Sequence, residues 1–499
     1  MKVKGNTFGS FLREQRKKCE LSQFQLGALL GVSDKAVSKW ESDLAKPQSH
    51  LLHRLSTILG VTVDELLAGQ AIDVDKEKRA ILENCGLIWK KAYKNLMSYY
   101  NNAPPIEALS RYENEKSALM NSDIIQFFEV ISLISDEAEK MNSQVMLVGG
   151  VGSSFVAYLL KATDVNPLPA HYYCPVCKTT QFMDTEADGW ELPRRYCETC
   201  HSLVVRDGHN LSFECYKHII GKNASFDLVI SKDFYQKAKA LIIEYFGHYG
   251  VRIIKPPVDL PVDLQTFVVK PVGSLNIKND ESCILSNEEY MDNLSRYPYI
   301  NLISYEKYEK YITLRRKVKV FPKQIDCFGD EILQQFSKRD LGKGFLKFEL
   351  NFLNELKIDN FSDLLKLYGI SFVASACQEK EEFHIKKVSE FGKTMVYRDD
   401  VFQYVYSKMT KKGYYDSGLA YMVMDKARKG IYHRNGVDEN TRKILLDIGC
   451  SEKFITDLEE ILYLFPKAQG VLYVKHVFVL MWYKVYYPEI FEMIFQNDI

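Results

Sequence analysis

The segment from Val151 to Cys177 reads "VGSSFVAYLLKATDVNPLPAHYYCPVC" and joins a glycine-serine turn, a short apolar run and a Cys-x-x-Cys pair. A second pair, in "CETC", follows at a spacing that suits two knuckles closing on one tetrahedral metal ion. Four thiolates leave no open coordination position, so they favour a structural zinc ion over a catalytic one. The sequence therefore predicts a zinc ribbon at about residues 171–210 with four ligands, Cys174, Cys177, Cys197 and Cys200.

The chain has 11 cysteines, and those outside the two pairs are scattered singly, as buried small hydrophobic residues are. A redox or metal-free role of the two pairs is the alternative to zinc. His201 could replace one thiolate, but it directly follows Cys200 and would be a strained ligand.

Length and charge limit what the whole molecule can do. At 499 residues the chain exceeds what one compact core usually contains, which predicts about two to four domains. Lys plus Arg number 65 and Asp plus Glu number 65, so attraction to nucleic acid must come from local patches. The N-terminal residues lack the apolar core of a secretory signal, and no apolar run is typical of a membrane span. We expect a cytoplasmic protein without membrane partners.

Residues 1–70 show apolar positions at helical spacing, interrupted every few residues. Ser22 and Ser33 each stand where a helix N-cap belongs, and Gly31 ends the helix before Ser33. The short join between these two helices predicts a helix-turn-helix domain.

The stretch "LSQFQLGALLGVSDKAVSKWESDLAKP" resembles the Cro/C1-type, or XRE-type, DNA-binding domain. That resemblance implies binding to double-stranded DNA, with Gln23 towards phosphate and four side chains of the second helix towards bases: Asp34, Lys35, Ser38 and Lys39. Residues 1–50 hold nine Lys or Arg against five Asp or Glu, which supplies a local phosphate-binding charge. A bundle that binds only protein is the alternative. Such domains usually read two half-sites, so a homodimer is possible.

After a helical linker at residues 71–105, composition changes at Pro104 and Pro105. The quoted Val151–Cys177 segment, "CETC", "RDGHNLSFE" and "DLVIS" together resemble the palm of the PolC-type DNA polymerase III alpha subunit, a C-family polymerase. "VYRDDVFQYVYSKM", "GLAYMVMDKARKG" and "LYLFPKAQGVLYVKHVFVLMWYKVYYPEIFEMIF" resemble its fingers. The resemblance implies a multidomain fold: an α+β, nucleotidyltransferase-like palm with an inserted zinc ribbon at 106–350, and mainly α-helical fingers at 351–499.

In that family two aspartates one residue apart on a strand, and a third aspartate, hold two divalent ions for nucleotidyl transfer. The matching pair here is Ser225 and Asp227, and the third position is assigned to Asp326. An arginine of the family's phosphate motif is replaced by Val148, and a histidine of the fingers by Gln469. The resemblance assigns phosphate binding to four residues: Gly152, Ser153, Ser154 and Lys467.

These substitutions predict a polymerase core that has lost catalysis and acts as a regulator or replication-associated binding module. The alternative is a reduced DNA-directed DNA polymerase that uses Asp227 and Asp326 with magnesium. A third possibility is a repressor whose C-terminal part only dimerises it. Primer-template DNA and replication proteins are the expected partners of the core. Two basic, tyrosine-rich segments, "YEKYEKYITLRRKVKVFPK" and "YSKMTKKGYYD", either bind a nucleic-acid strand or form solvated faces.

Overall fold

The computed structural model describes residues 7–269 except at 20, 62–65, 68, 70–75, 121, 123, 221–223, 247–250 and 256–262. It also describes residues 283–284, 294, 297–319, 331–332, 334, 360–376 and 395–495. The chain folds as two compact units, Met1–Lys90 and Lys91–Ile499. The boundary between the units lies inside helix Lys76–Tyr99, in the segment that the sequence analysis assigns to a linker. The finer division into domains stays a prediction.

The first unit is helical, with α1 Phe8–Lys18, α2 Gln23–Leu30, α3 Asp34–Glu41 and α4 Ser49–Leu59. Ser22 accepts a hydrogen bond from the Gln25 backbone N–H, and Ser33 accepts one from Ala36, so both predicted N-caps are confirmed. Gly31 has φ +74°, a left-handed conformation that glycine adopts without a Cβ penalty, and it ends α2 as predicted. The tight turn brings α2 and α3 together as a helix-turn-helix.

The second unit opens with helices and then forms a mixed sheet. Its first helices are α5 Lys76–Tyr99, which enters from the first unit, α6 Ile106–Met120 and α7 Ile125–Lys140. The sheet strands are β1 Met146–Val148, β5 Ser225–Val229, β6 Val251–Lys255, β7 Asp263–Val269, β8 Cys283–Ile284 and β9 Tyr299–Ser304. They lie in the order β1-β5-β9-β7-β6-β8, with β5 and β9 parallel.

One face of this sheet packs on helices. Phe226 of β5 stacks on Phe127 of α7 at a ring separation of 4.8 Å, and both side chains are fully buried. Helix α10 Lys232–Phe246 adds Phe246 to the same cluster. Side chains alternate along a strand, so Ser225 and Asp227, on either side of Phe226, point to the opposite face of the sheet. The polar positions of the predicted catalytic strand therefore lie on the more open side of the sheet.

A small second sheet follows the glycine-serine turn, in the segment where the sequence analysis places a zinc ribbon. Its strands are β2 His171–Tyr173, β3 Thr180–Phe182 and β4 Val205–Asp207, in the order β3-β2-β4. The turn itself is a short 3-10 segment, Gly150–Ser153, followed by α8 Phe155–Leu159. Helix α9 Phe213–Ile220 returns the chain to β5.

The C-terminal part is mostly helical, as expected for fingers. After α11 Glu306–Val318 it contains α12 Phe361–Ala376, α13 Arg398–Lys411, α14 Gly418–Arg428, α15 Ile431–Asn435, α16 Glu439–Asp447, α17 Glu452–Glu459, α18 Lys467–Tyr486 and α19 Pro488–Phe495. Helix α18 is buried along most of its length and shares an apolar core with β1 through Val148 and Val471. This packing joins the helical part directly to the strand beside Asp227.

Within the described residues, no single helix has the length and apolar character needed to cross a membrane. Helices α6 and α7, which are joined by a sharp bend, would together be long and apolar enough for a membrane span, judged by length and composition only. Both helices of that pair contribute buried side chains to the protein core, Tyr112 and Phe127 among them.

Candidate functional site

The predicted base-reading helix presents polar side chains to solvent. Asp34, Lys35 and Lys39 are exposed, and Ser38 is half-buried. On its other face α3 buries Val37 and Trp40 in the core of the first unit. The helix therefore has the two-faced character that major-groove recognition requires, with a fixed apolar side and a free polar side.

Gln23, the predicted phosphate contact, is tied to an internal ion pair. Its Nε2 donates to Glu41 Oε2 at 2.8 Å, and Arg16 Nη2 donates to the same oxygen at 3.0 Å. Burial would raise the pKa of Glu41, but the hydrogen bonds from Arg16 and Gln23 lower it below its usual value. The Gln23–Glu41 hydrogen bond thus holds the start of α2 on the end of α3, and it leaves the carbonyl oxygen and the second Nε2–H of Gln23 for a further contact.

The four predicted zinc ligands converge. The Sγ atoms of Cys174, Cys177, Cys197 and Cys200 all lie within 4.8 Å of one another, with 3.5 Å between Cys174 and Cys200. A tetrahedral ion with Zn–S bonds of about 2.3 Å places its sulfurs about 3.8 Å apart, so this donor set fits zinc. Hydrogen bonds from the Ser202 hydroxyl and backbone hold the pKa of Cys200 at about 6, which favours a thiolate.

Both Cys-x-x-Cys pairs turn in the same way. Lys178 follows Cys177 with φ +62°, and His201 follows Cys200 with φ +56°. The backbone N–H of each donates to the carbonyl of the first cysteine of its pair, at 2.8 Å to Cys174 and 2.9 Å to Cys197. His201 is therefore a turn residue that lies outside the cysteine cluster, in agreement with the preference for four thiolates.

Asp227 belongs to a row of polar side chains that crosses three strands. In the sheet register Asp227 of β5 lies opposite Asn301 of β9, which lies opposite Thr266 of β7. Asn301 Nδ2 donates to Asp227 Oδ1 at 2.6 Å, and the Thr266 hydroxyl donates to Asn301 Oδ1 at 2.7 Å. Burial raises the pKa of Asp227, and the bond from Asn301 opposes that rise only in part.

This row offers a single carboxylate to a cation. Ser225, on the same face of β5 as Asp227, supplies a hydroxyl where a second carboxylate is needed, and Asn301 turns a donor towards Asp227. In the part of the chain that the structure describes, the cysteine cluster is the one group of ligands suited to a metal. Asp326 lies outside the described residues. Asp233 is the second residue of helix α10 and pairs with Arg316 at 2.8 Å, so it lies beyond the end of β5.

The glycine-serine loop is occupied by the protein's own carboxylate. Glu115, fully buried on α6, accepts hydrogen bonds from the backbone N–H groups of Phe155 at 2.9 Å and Val156 at 3.1 Å. The Ser154 hydroxyl donates to the same side chain at 2.8 Å. An anion at the N-terminus of α8 is therefore already present, and the sequence analysis missed it.

Arg111 completes this internal site. Its Nη2 donates to the Ser153 carbonyl at 2.9 Å, and its Nε pairs with Glu115 Oε1 at 2.6 Å. The Ser153 hydroxyl donates to the Gly150 carbonyl at 2.8 Å. Both serine hydroxyls are thus used inside the protein, and phosphate binding by Gly152, Ser153 and Ser154 stays a prediction.

The open side of the loop faces a residue of the helical part. Gly149 has φ +76° and lies against the Asp227 carboxylate, and a side chain at Gly150 would clash with the Arg398 guanidinium. Arg398 is 7% exposed, and its buried Nε has no hydrogen-bond partner. Arg398 supplies, from the helical part, a positive charge beside the strand end where Val148 replaces the expected arginine. Sequence reasoning missed it because it lies far along the chain.

Lys467 is the first residue of helix α18, which starts near the glycine-serine loop. Its backbone N–H donates to Asp399 Oδ2 at 2.8 Å. Burial raises the pKa of Asp400, and the Lys467 ammonium opposes that rise. The two aspartates after Arg398 therefore fix helix starts, and phosphate binding by Lys467, which lies next to them, stays a prediction.

The two tyrosine-rich segments differ. In α11, Tyr308 and Tyr311 are buried to 1% exposure and stack with His476, so these two rings belong to the core and are not available for base stacking. In the loop after α13, Tyr414 and Tyr415 are exposed at 59% and 72%. Among the described residues of the two segments, the rings of Tyr414 and Tyr415 are the ones exposed for stacking with a base.

A buried polar cluster fastens the ribbon to α18. His209 Nδ1 lies 2.9 Å from Asp188 Oδ2, and Lys475 Nζ lies 3.8 Å from Asp207 Oδ1. Lys475 Nζ also donates to the Asp164 carbonyl at 2.7 Å. All of these groups are largely buried, so the ribbon and the last long helix share one electrostatic network.

Comparison with known proteins agrees with this arrangement. Residues 12–66 match the family described as helix-turn-helix, and residues 86–255 match the bacterial DNA polymerase III alpha NTPase domain. The chain is 23% identical to a PolC-type DNA polymerase III of Caldanaerobacter subterraneus over 79% of its own length and 32% of the relative's. For the PolC-type enzyme of Thermotoga maritima the identity is 24%, over 82% of this chain and 34% of the relative.

The PolC-type enzyme of Staphylococcus aureus is 23% identical over 89% of this chain and 34% of that protein. The chain thus spans about a third of the length of the curated relatives it matches. Helical first unit, mixed sheet and helical C-terminal part follow the predicted order. The protein combines an XRE-type helix-turn-helix domain with a region homologous to PolC-type DNA polymerase III.

Proposed function

We propose that this protein is a sequence-specific DNA-binding protein whose polymerase-like core no longer catalyses nucleotidyl transfer. The helix-turn-helix takes double-stranded DNA through Lys35, Lys39, Asp34 and Ser38. The core acts as a regulator of replication or as a replication-associated binding module, in the cytoplasm, with a structural zinc ion on its four cysteines. Primer-template DNA and replication proteins are its proposed partners.

One observation carries the loss of catalysis: the hydrogen-bonded row Asp227–Asn301–Thr266 beside Ser225. Two-metal catalysis needs several carboxylates around both ions, because the ions must neutralise the charge that develops on the transferred phosphoryl group. Here the amide of Asn301 donates to Asp227, and Ser225 on the same strand face offers a hydroxyl. An amide N–H satisfies one carboxylate oxygen and repels a cation from that side.

The test is primer extension with purified full-length protein, magnesium or manganese, and all four deoxynucleotides. We expect no incorporation at protein concentrations equal to the primer-template. Extension by the wild-type protein that disappears in Asp227→Ala would overturn the proposal. Extension that survives Asp227→Ala would identify a contaminating polymerase, so that preparation would be replaced before any conclusion.

DNA binding is tested separately by selection of duplex fragments from a random library, followed by fluorescence anisotropy on the selected site. Lys35→Ala/Lys39→Ala should weaken binding and reduce its salt dependence, because two phosphate or base contacts are lost. Lys237→Ala/Lys453→Ala removes two exposed lysines of the second unit and should leave affinity unchanged. Selected sites with two half-sites, together with sedimentation as a dimer, would support the proposed homodimer.

A reduced polymerase is the second candidate. It is favoured by Arg398 at the glycine loop and by Lys467 beside it, since both place positive charge where a triphosphate would lie. Asp227 and Asp326 would be its carboxylates. The primer-extension experiment distinguishes the two candidates directly.

A further inference from the structure

The loop after helix α13 borders a surface groove of about 570 Å³. Its lining includes three apolar side chains from three different helices, Met409, Leu419 and Ile444. Tyr414 and Tyr415 line it as well. The groove therefore combines apolar side chains with two adjacent aromatic rings.

The rings are exposed, but the backbone that carries them is fixed. The Tyr414 N–H donates to the Met409 carbonyl at 3.0 Å, and the Tyr406 hydroxyl donates to the Tyr415 carbonyl at 3.3 Å. Ser417, at the end of the loop, donates to Glu214 of α9 at 2.8 Å. Exposed aromatic side chains on a fixed backbone need little ordering when a ligand binds, which favours stacking.

The loop and the turn before it carry more basic than acidic side chains. Residues 408–416 hold three lysines, Lys408, Lys411 and Lys412, against one aspartate, Asp416, and the exposed Asp447 adds a second carboxylate to the groove lining. Lys412, which lines the groove, donates through Nζ to the Asp447 backbone carbonyl at 2.7 Å, and Asp416 accepts the Gly418 N–H at 3.0 Å. Lys411 is exposed in the last turn of α13, so its ammonium is available to a phosphate.

We infer that this groove binds single-stranded nucleic acid, with unpaired bases stacked on Tyr414 and Tyr415 and backbone phosphates held by Lys411 and Lys412. Base stacking on exposed aromatic rings together with lysine contacts to phosphate is how single strands are held without sequence readout. A duplex keeps its bases stacked and offers no free base face, so the helix-turn-helix and this groove take different forms of DNA. The inference does not depend on whether the core catalyses.

The experiment measures anisotropy of a labelled oligothymidylate of about 12 nucleotides, within the usual site size of single-strand binders. The full-length protein is used with excess unlabelled duplex, which occupies the helix-turn-helix. Tyr414→Ala/Tyr415→Ala should weaken binding at least about tenfold, whereas Tyr414→Phe/Tyr415→Phe should bind as wild type because the rings remain. Lys411→Ala should lower the salt dependence.

Tyr196→Ala/Tyr486→Ala is the matched control, since it removes two exposed tyrosines elsewhere on the second unit. It should bind the oligonucleotide as wild type does. Absence of binding by the wild-type protein would overturn the inference. So would equal affinity of the Tyr414→Ala/Tyr415→Ala variant and the control, and the groove would then be a site for another kind of partner.

Discussion

The cysteine ribbon and the open face of the mixed sheet both lie in the region similar to PolC-type DNA polymerase III, but they differ in what their polar residues do. In the ribbon, four thiols from two knuckles meet at distances that fit one ion. On the sheet, Asp227 meets an asparagine and a serine lies where a second carboxylate is expected. A metal that holds the fold together keeps its ligands because their loss unfolds the segment. A metal that serves only chemistry is under no such constraint.

The largest effect is expected from removing a zinc ligand. Cys174→Ser should abolish the single zinc ion and open the ribbon, since structural zinc contributes about 10–16 kcal/mol in isolated zinc-finger peptides. Zinc content by mass spectrometry and limited proteolysis within 171–207 measure both consequences. Cys19→Ser, an exposed cysteine of the first unit, should keep its zinc. Full zinc content in Cys174→Ser would show that the cysteine cluster is not the site.

Glu115→Ala should destabilise the second unit by about 3–5 kcal/mol, because it leaves the buried Arg111 charge without its partner and α8 without its cap. Denaturant unfolding followed by tryptophan fluorescence gives the number. Glu113→Ala, two residues away on the same helix and half-exposed, should change stability by less than about 1 kcal/mol. Equal stability of the two variants would mean that the loop does not depend on its internal carboxylate.

Introducing a cation site on the open face of the mixed sheet tests most directly whether the sheet differs from the ribbon in its ligands. Ser225→Asp/Asn301→Asp places three carboxylates on one face of β5 and β9, so we expect one Mn²⁺ to bind and raise the melting temperature. Isothermal titration and thermal unfolding with Mn²⁺ report this gain. Adding Asp227→Ala to the double variant should remove it. If the wild-type protein already shows the same Asp227-dependent Mn²⁺ binding, the distinction between the two regions fails.

The smallest effect concerns the pH dependence of stability. The pKa of Asp227 is raised by burial, so its ionised form is less stable in the folded protein than in the unfolded chain. This destabilisation is absent below the unfolded-state pKa of about 3.9 and develops as pH rises through the folded-state pKa. Asp227→Asn should therefore melt at a higher temperature than wild type at neutral pH. The two proteins should converge in acid, and a constant difference at all pH values would contradict the assignment.

Much of the architecture was predictable because its signals are local. Ser22, Ser33 and Gly31 mark helix ends through bonds to residues at most three or four positions away. The spacing of the two cysteine pairs alone predicts a metal site. Such features need no knowledge of which distant segments meet.

The residues that determine the palm-like site were not predictable in this way. Asn301 reaches Asp227 only through the parallel pairing of β5 with β9, and a one-residue shift in register would turn it to the other face. In sequence, Arg111 and Glu115 resemble an ordinary exposed helix pair four residues apart. Their burial under the glycine-serine loop gives them a different role, and only tertiary packing reveals it.

Lys475 lies late in the chain, so its contacts with the ribbon form after the ribbon itself has been synthesised. The zinc knuckles and their sheet lie within one short stretch, so that stretch can close on its metal soon after it leaves the ribosome. The Asp207 carboxylate and the His209 imidazole gain their cationic neighbour, Lys475, only after nearly the whole chain has been synthesised. A chain that ends before Lys475 lacks the ammonium that lies 3.8 Å from Asp207 Oδ1, so we expect a protease to cleave its ribbon faster than that of the full chain.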